Sequence, residues 1–206
     1  MKRPPLFASL IVAAAVTAMV YLGFWQLDRM DEKNSLIETY AANFDRPAIA
    51  YPELGPVADD TMFRKSEVTC LQVAEWQDNS GTAADGTKGF RHLARCITGA
   101  EGPGALINVG VSTRPNMEVE WEGGPVSGWI TQAPGQSTLF DALMGRTTAR
   151  GPMLVADQPV AGLKQPARPS VEDIPNNHFA YAVQWFLFAV IALIIYGFAL
   201  RGRSRD

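Results

Sequence analysis

Two hydrophobic runs and the polar stretch between them organise this chain. Residues 4–25 (PPLFASLIVAAAVTAMVYLGFW) hold no charged side chain, and neither do residues 179–200 (FAYAVQWFLFAVIALIIYGFAL). A bilayer core about 30 Å thick needs roughly 20 apolar helical residues at ~1.5 Å rise each. Both runs meet that length, so each predicts a transmembrane helix. Pro4 and Pro5 open the first run, where a missing N–H costs little. Tyr21, Phe24 and Trp25 close it, where amphipathic rings favour the headgroup layer. In the second run the strongly polar side chain is Gln184, which in lipid should face a helix or a ligand. The basic start and alanine-rich middle of the first run also fit a cleaved signal peptide. Its exit, YLGFWQ, puts bulky aromatics where a cleavage site needs small residues, which favours a retained anchor.

Between the runs the pattern changes twice. Residues 26–40 (QLDRMDEKNSLIETY) place Leu27, Met30, Leu36 and Ile37 among charges, the spacing of a short amphipathic juxtamembrane helix continuing the first span. Residues 48–157 read as strands punctuated by Gly and Pro, with strand-like segments at 67–76, 90–98, 105–111, 126–131 and 152–156. This spacing predicts a small antiparallel sheet or a barrel-like one. Residues 78–89 (DNSGTAADGTKG) read as a polar, Gly-rich loop, and residues 158–177, with four prolines, as an extended return to the membrane. The fold class is therefore an α+β membrane protein, with two transmembrane helices around a β-rich extracytoplasmic domain.

Charge sets orientation and removes one class of partner. The chain of 206 residues carries −3, of which the terminal residues Lys2, Arg3, Arg201, Arg203, Arg205 and Asp206 carry +4, leaving −7 for residues 26–178. An acidic central domain has no electrostatic footprint for nucleic acid. Positive flanks stay on the cytoplasmic side. The layout that follows has cytoplasmic ends at 1–3 and 201–206, spans at 4–25 and 179–200, and a translocated domain at 26–178. In a bacterium that domain is periplasmic and the membrane is the inner one.

The chemical inventory is thin. There is no G-x-S-x-G, H-E-x-x-H, Walker loop or G-x-G-x-x-G, and two histidines with two cysteines cannot build a His-rich metal centre. No enzyme is expected. Cys70 and Cys96 fall in strand-like segments on the oxidising side and are disulfide candidates; a thiolate pair for copper or haem is the other reading. His92 and Cys96, four residues apart in one strand, lie about 13 Å apart, too far to chelate one ion. His178 is the last polar residue before the second run, at the membrane surface. It can cap the helix beside Asn176 and Asn177, or ligate a metal.

Two segments carry a resemblance. Residues 22–37 read LGFWQLDRMDEKNSLI and residues 175–196 read PNNHFAYAVQWFLFAVIALIIY. Together they resemble the Surfeit locus protein family of cytochrome c oxidase assembly factors. The family's Leu-Gly-x-Trp-Gln run with a following Arg falls on Leu22, Gly23, Trp25, Gln26 and Arg29. Its Asn-x-His-x-x-Tyr-Ala-x-Gln-Trp run falls on Asn176 or Asn177, His178, Tyr181, Ala182, Gln184 and Trp185. In the middle of the chain, Val111 stands where the family carries a tryptophan. The resemblance implies help in delivering haem a to the oxidase catalytic subunit, with His178 as haem iron ligand and Tyr181, Gln184 and Trp185 beside it. An imidazole is a standard axial ligand. Subunit I of the oxidase, haem a synthase and the lipid membrane are the implied partners. A scaffold that stabilises an oxidase intermediate without touching haem is the alternative.

Overall fold

The computed structural model describes residues 6–99, 104–115, 117–135, 150–160 and 162–203. The terminal residues used for orientation, Lys2, Arg3, Arg205 and Asp206, and the opening prolines Pro4 and Pro5 lie outside them.

Helix α1 runs unbroken over Leu6–Asn43 and helix α2 over His178–Arg203. Both are long and apolar enough to cross a membrane, and only 6% of the most apolar 18-residue window of each is buried. A core helix would bury most of that surface, so these apolar faces need another apolar environment. The chain divides into two compact units. One joins residues up to Ile37 to those from Ile174 onward, and the other is Glu38–Asp173.

Within the helical unit a seam of small and polar residues joins α1 to α2. Gly23 is buried, as are Ala182 and Ala189 at 1% and 4% exposure. A Cβ added at Gly23 would lie 2.5 Å from Phe186 Cε1, so only glycine lets that ring pack here. Phe24 meets Phe186 edge to face at 5.3 Å, and Ser9 Oγ meets the Tyr196 hydroxyl at 2.5 Å. Small residues that admit close helix approach are the usual basis of helix pairing in lipid.

The other unit is a seven-stranded sheet: β1 (Ile49–Ala50), β2 (Lys65–Cys70), β3 (Gln72–Thr82), β4 (Lys88–Ile97), β5 (Ala105–Ser112), β6 (Gly124–Gln132) and β7 (Pro152–Ala156). Their order is β1-β2-β6-β7-β5-β4-β3. The expectation of an antiparallel or barrel-like sheet is corrected on both counts. β1 pairs with β2, and β5 with β7, in parallel. No ladder joins β3 back to β1 or β2 among the described residues, so the sheet is open. The parallel pair arises because β7 inserts between β5 and β6, a non-local choice that local periodicity does not encode.

Two further expectations give way to pairing. The segment 67–76 is two strands, broken at Leu71, whose N–H bonds to Ile97 O at 2.9 Å. The stretch 78–89 is mostly strand, because Asp78 to Thr82 pair with His92 to Lys88. Its turn is confined to 83–87, closed by Gly86 at φ 83° and by Asp85 Oδ1 accepting the Thr87 N–H at 2.9 Å.

The core sits on the central strands. All eight residues of β5 are buried, and Leu93, Ile107, Ile130 and Leu154 have no exposed surface. In β2 burial alternates, with Ser66, Val68 and Cys70 inward. Cys70 joins Cys96 in a disulfide with Cα atoms 5.2 Å apart. The bridge does not link adjacent strands, since β2 and β4 are separated in the sheet by β6, β7 and β5. It holds together parts of a curled sheet that no ladder joins.

Candidate functional site

α2 begins at His178, and the Asn176 and Asn177 that precede it supply the polar entry to the helix. Asn177 O accepts the Tyr181 N–H at 3.3 Å, closing the first turn. The Asn176 side chain donates to Asn34 Oδ1 on α1 at 2.8 Å, while its own Oδ1 is buried without a donor.

His178 is half-buried, and its Nδ1 lies 2.7 Å from Gln26 Oε1 on α1. An amide oxygen can only accept, so Nδ1 carries the proton in this contact. The lone pair is then on Nε2. This is how ligating histidines are commonly prepared: a second group holds one ring nitrogen as N–H and leaves the other for a metal. The residues present therefore fit a single axial iron ligand. Among the described residues no group of three or more His, Cys, Asp or Glu side chains could enclose a metal ion, so a caged ion is a poorer fit to them.

The other residues expected beside the haem lie on α2 as follows. Tyr181 is 52% exposed, Gln184 is exposed, and Trp185 is half-buried and edge to face with Phe188 at 6.2 Å. Tyr181 and Trp185, four residues apart, share one face of the first turns of α2, while Phe179 is exposed on another. Gln184 does not sit against α1 but at the outer surface. Gln26 takes the inter-helix role instead. It lay within the Trp-Gln run, but nothing in its local spacing tied it to His178. One turn further along α1, the Arg29 guanidinium lies 5.8 Å from the Trp25 ring centre and pairs with Glu32 at 2.5 Å.

The sheet unit holds a second constellation that the sequence did not signal. His92 is 1% exposed; its Nδ1 lies 2.8 Å from Asp78 Oδ1 and its Nε2 2.8 Å from Ser112 Oγ. These are the contacts of a Ser-His-Asp triad. The serine, however, is buried and donates to Arg114 O at 2.7 Å, so its proton is committed to the main chain. The three side chains pin the end of β5 to β3 and β4.

A cleft of about 370 Å³ lies over β5, β6 and β7 and includes Trp121, Pro125, Pro159, Glu120 and Asp157 in its lining. Two carboxylates make it a poor host for an anionic porphyrin.

A model of the SURF1 family matches residues 13–190, which takes in most of α1, the first half of α2 and the whole sheet. No curated protein matches the sequence.

Proposed function

As the chain belongs to the SURF1 family, which is linked to cytochrome oxidase assembly, we propose that it is a membrane-anchored, non-enzymatic assembly factor that binds haem a and aids its delivery to the oxidase catalytic subunit. The observation that carries this reading is the His178–Gln26 hydrogen bond, which leaves one imidazole nitrogen ready as a ligand. Haem a would bring an iron that an imidazole can ligate, a flat apolar ring and two anionic propionates. His178 would hold the iron through Nε2. Tyr181 and Trp185 would cover ring surface that water would otherwise wet. Gln26 would hold the imidazole ring in orientation and tautomer.

The two apolar helices support two membrane spans; the basic terminal flanks are what favour, in the proposed topology, cytoplasmic ends and a periplasmic domain at residues 26–178 of an inner-membrane protein. At that boundary a ligand keeps the ring in hydrocarbon and the propionates in water. Oxidase subunit I, as the acceptor of haem, and haem a synthase, as its source, are the partners this role requires.

The test is the haem a content of the oxidase assembled in cells whose only copy carries His178→Ala. The carrier reading expects oxidase deficient in haem a. Normal haem content and activity would instead support a scaffold that stabilises an intermediate without touching haem.

A further inference from the structure

Arg168 and Lys65 converge on one indole ring, and among the described residues no carboxylate lies within ion-pair distance of either. The Arg168 Cζ lies 4.8 Å from the Trp129 ring centre and 4.4 Å from that of Phe44, so the guanidinium rests against two aromatic rings. Lys65 Nζ lies 5.6 Å from the same Trp129 centre. Cation–π attraction explains each contact singly. It does not explain two cations on one ring, because they repel each other. Neither has a carboxylate within ion-pair distance among the described residues, and the Arg168 side chain makes no hydrogen bond to any of them. The indole Nε1 of Trp129 is buried and has no acceptor among the described residues, in a side chain only 8% exposed.

The base of this cluster is firmly set. Phe44 stacks on Phe63 at 5.2 Å with planes 19° apart, and Tyr40 meets Phe63 edge-on at 5.6 Å. Phe63 itself is held at φ 64°, a left-handed conformation that costs energy in a bulky residue, with its N–H bonded to Ile130 O at 2.8 Å. Such strain is retained where the surroundings over-determine it.

We infer that Arg168, Lys65 and Trp129 form a binding site for a carboxylate carried by a segment of a partner protein. The exposed guanidinium carries a planar fork of N–H donors that matches a planar carboxylate bidentately. Lys65 adds a second charge beside the same indole. The surrounding domain is strongly acidic (residues 26–178 carry −7), which works against polyanions such as a phospholipid surface and favours a single local acid group. The inference is independent of haem binding.

The test uses the full-length protein in detergent, with the Trp129 indole N–H and the Arg168 guanidinium followed by nitrogen-15 NMR. The probes are an acidic hexapeptide with a single Glu or Asp, its Gln/Asn counterpart, inorganic phosphate, and vesicles containing phosphatidylglycerol. The expected result is that the acidic peptide alone shifts both signals saturably, and that Lys65→Gln and Arg168→Gln each weaken its binding at least tenfold with the thermal midpoint unchanged. Both side chains are exposed, and Lys65→Gln alone suffices if Arg168→Gln disturbs the stack. Equal shifts with the Gln/Asn peptide would overturn the site. So would acidic-peptide binding unaltered in both variants. Tighter binding of phosphate or vesicles than of the peptide would overturn its assignment to a protein carboxylate.

Discussion

Gln26 and His178 are 152 positions apart in the chain, yet Oε1 of one and Nδ1 of the other meet at 2.7 Å across the helix pair. A histidine fixed by a second group binds metal more tightly than a free one, and loss of such a partner typically costs 10- to 100-fold in affinity. Gln26→Leu should therefore weaken haem a binding by about that factor, while Gln26→Glu, which retains an acceptor, should bind close to the parent. Titration of the purified protein with haem a measures both. Equal affinity in Gln26→Leu and the parent would show that the contact does not prepare a ligand.

The seam beside that pair depends on Gly23. Any side chain there enters the Phe186 ring, and overpacking of this kind costs about 1–3 kcal/mol. Gly23→Leu is expected to lower the thermal midpoint and the haem affinity together, because separating the helices also separates Gln26 from His178. Phe186→Ala in the same chain should restore part of both. Failure of that rescue would mean that the two residues do not share the space described.

Much of this was legible in the sequence, and the part that was not has a common cause. The two uncharged runs announced α1 and α2, since a long apolar helix needs no tertiary information to be recognised. The strand-like segments at 90–98, 105–111, 126–131 and 152–156 correspond to β4 to β7. Local pattern failed where distant partners decide. Asp78 to Thr82 read as loop residues and became strand because His92 to Lys88 pair with them. The parallel β5–β7 pair, the Asp78–His92–Ser112 contacts and the choice of Gln26 rather than Gln184 as the inter-helix polar group all join residues that no short window contains.

Alkaline pH should loosen the sheet unit in a defined window. The Tyr40 hydroxyl donates to Asp59 Oδ1 at 2.8 Å, and burial, followed by that hydrogen bond, pushes the phenol from 10.0 up to about 12. Burial pushes Tyr51 upward as well. A folded-state pKa above the unfolded one means that the stabilisation is complete below pH 10 and is lost as the pH rises through the folded value. The denaturant midpoint should therefore fall between pH 10 and 12. Tyr40→Phe should lower stability by about 1 kcal/mol at pH 8 and flatten part of that decline. An unchanged slope in the variant would contradict the assignment.

The disulfide makes a separable contribution. Cys70 and Cys96, 26 positions apart, are both nearly fully buried. Closing such a loop stabilises by about 3 kcal/mol in the chain-entropy model. The double substitution Cys70→Ser, Cys96→Ser should lower the thermal midpoint by roughly 10 °C. Reductant should produce a similar fall in the parent and none in the variant. A parent whose midpoint is unmoved by full reduction would show that the bridge carries no load.

Haem ligation by His178 is tested most directly by the visible absorption spectrum of detergent-purified protein from cells that make haem a, taken beside folded His178→Ala. The expected result is a haem a band in the parent that is missing in the variant. A band of equal strength in both, or none in either, would contradict a carrier that holds its iron through this histidine.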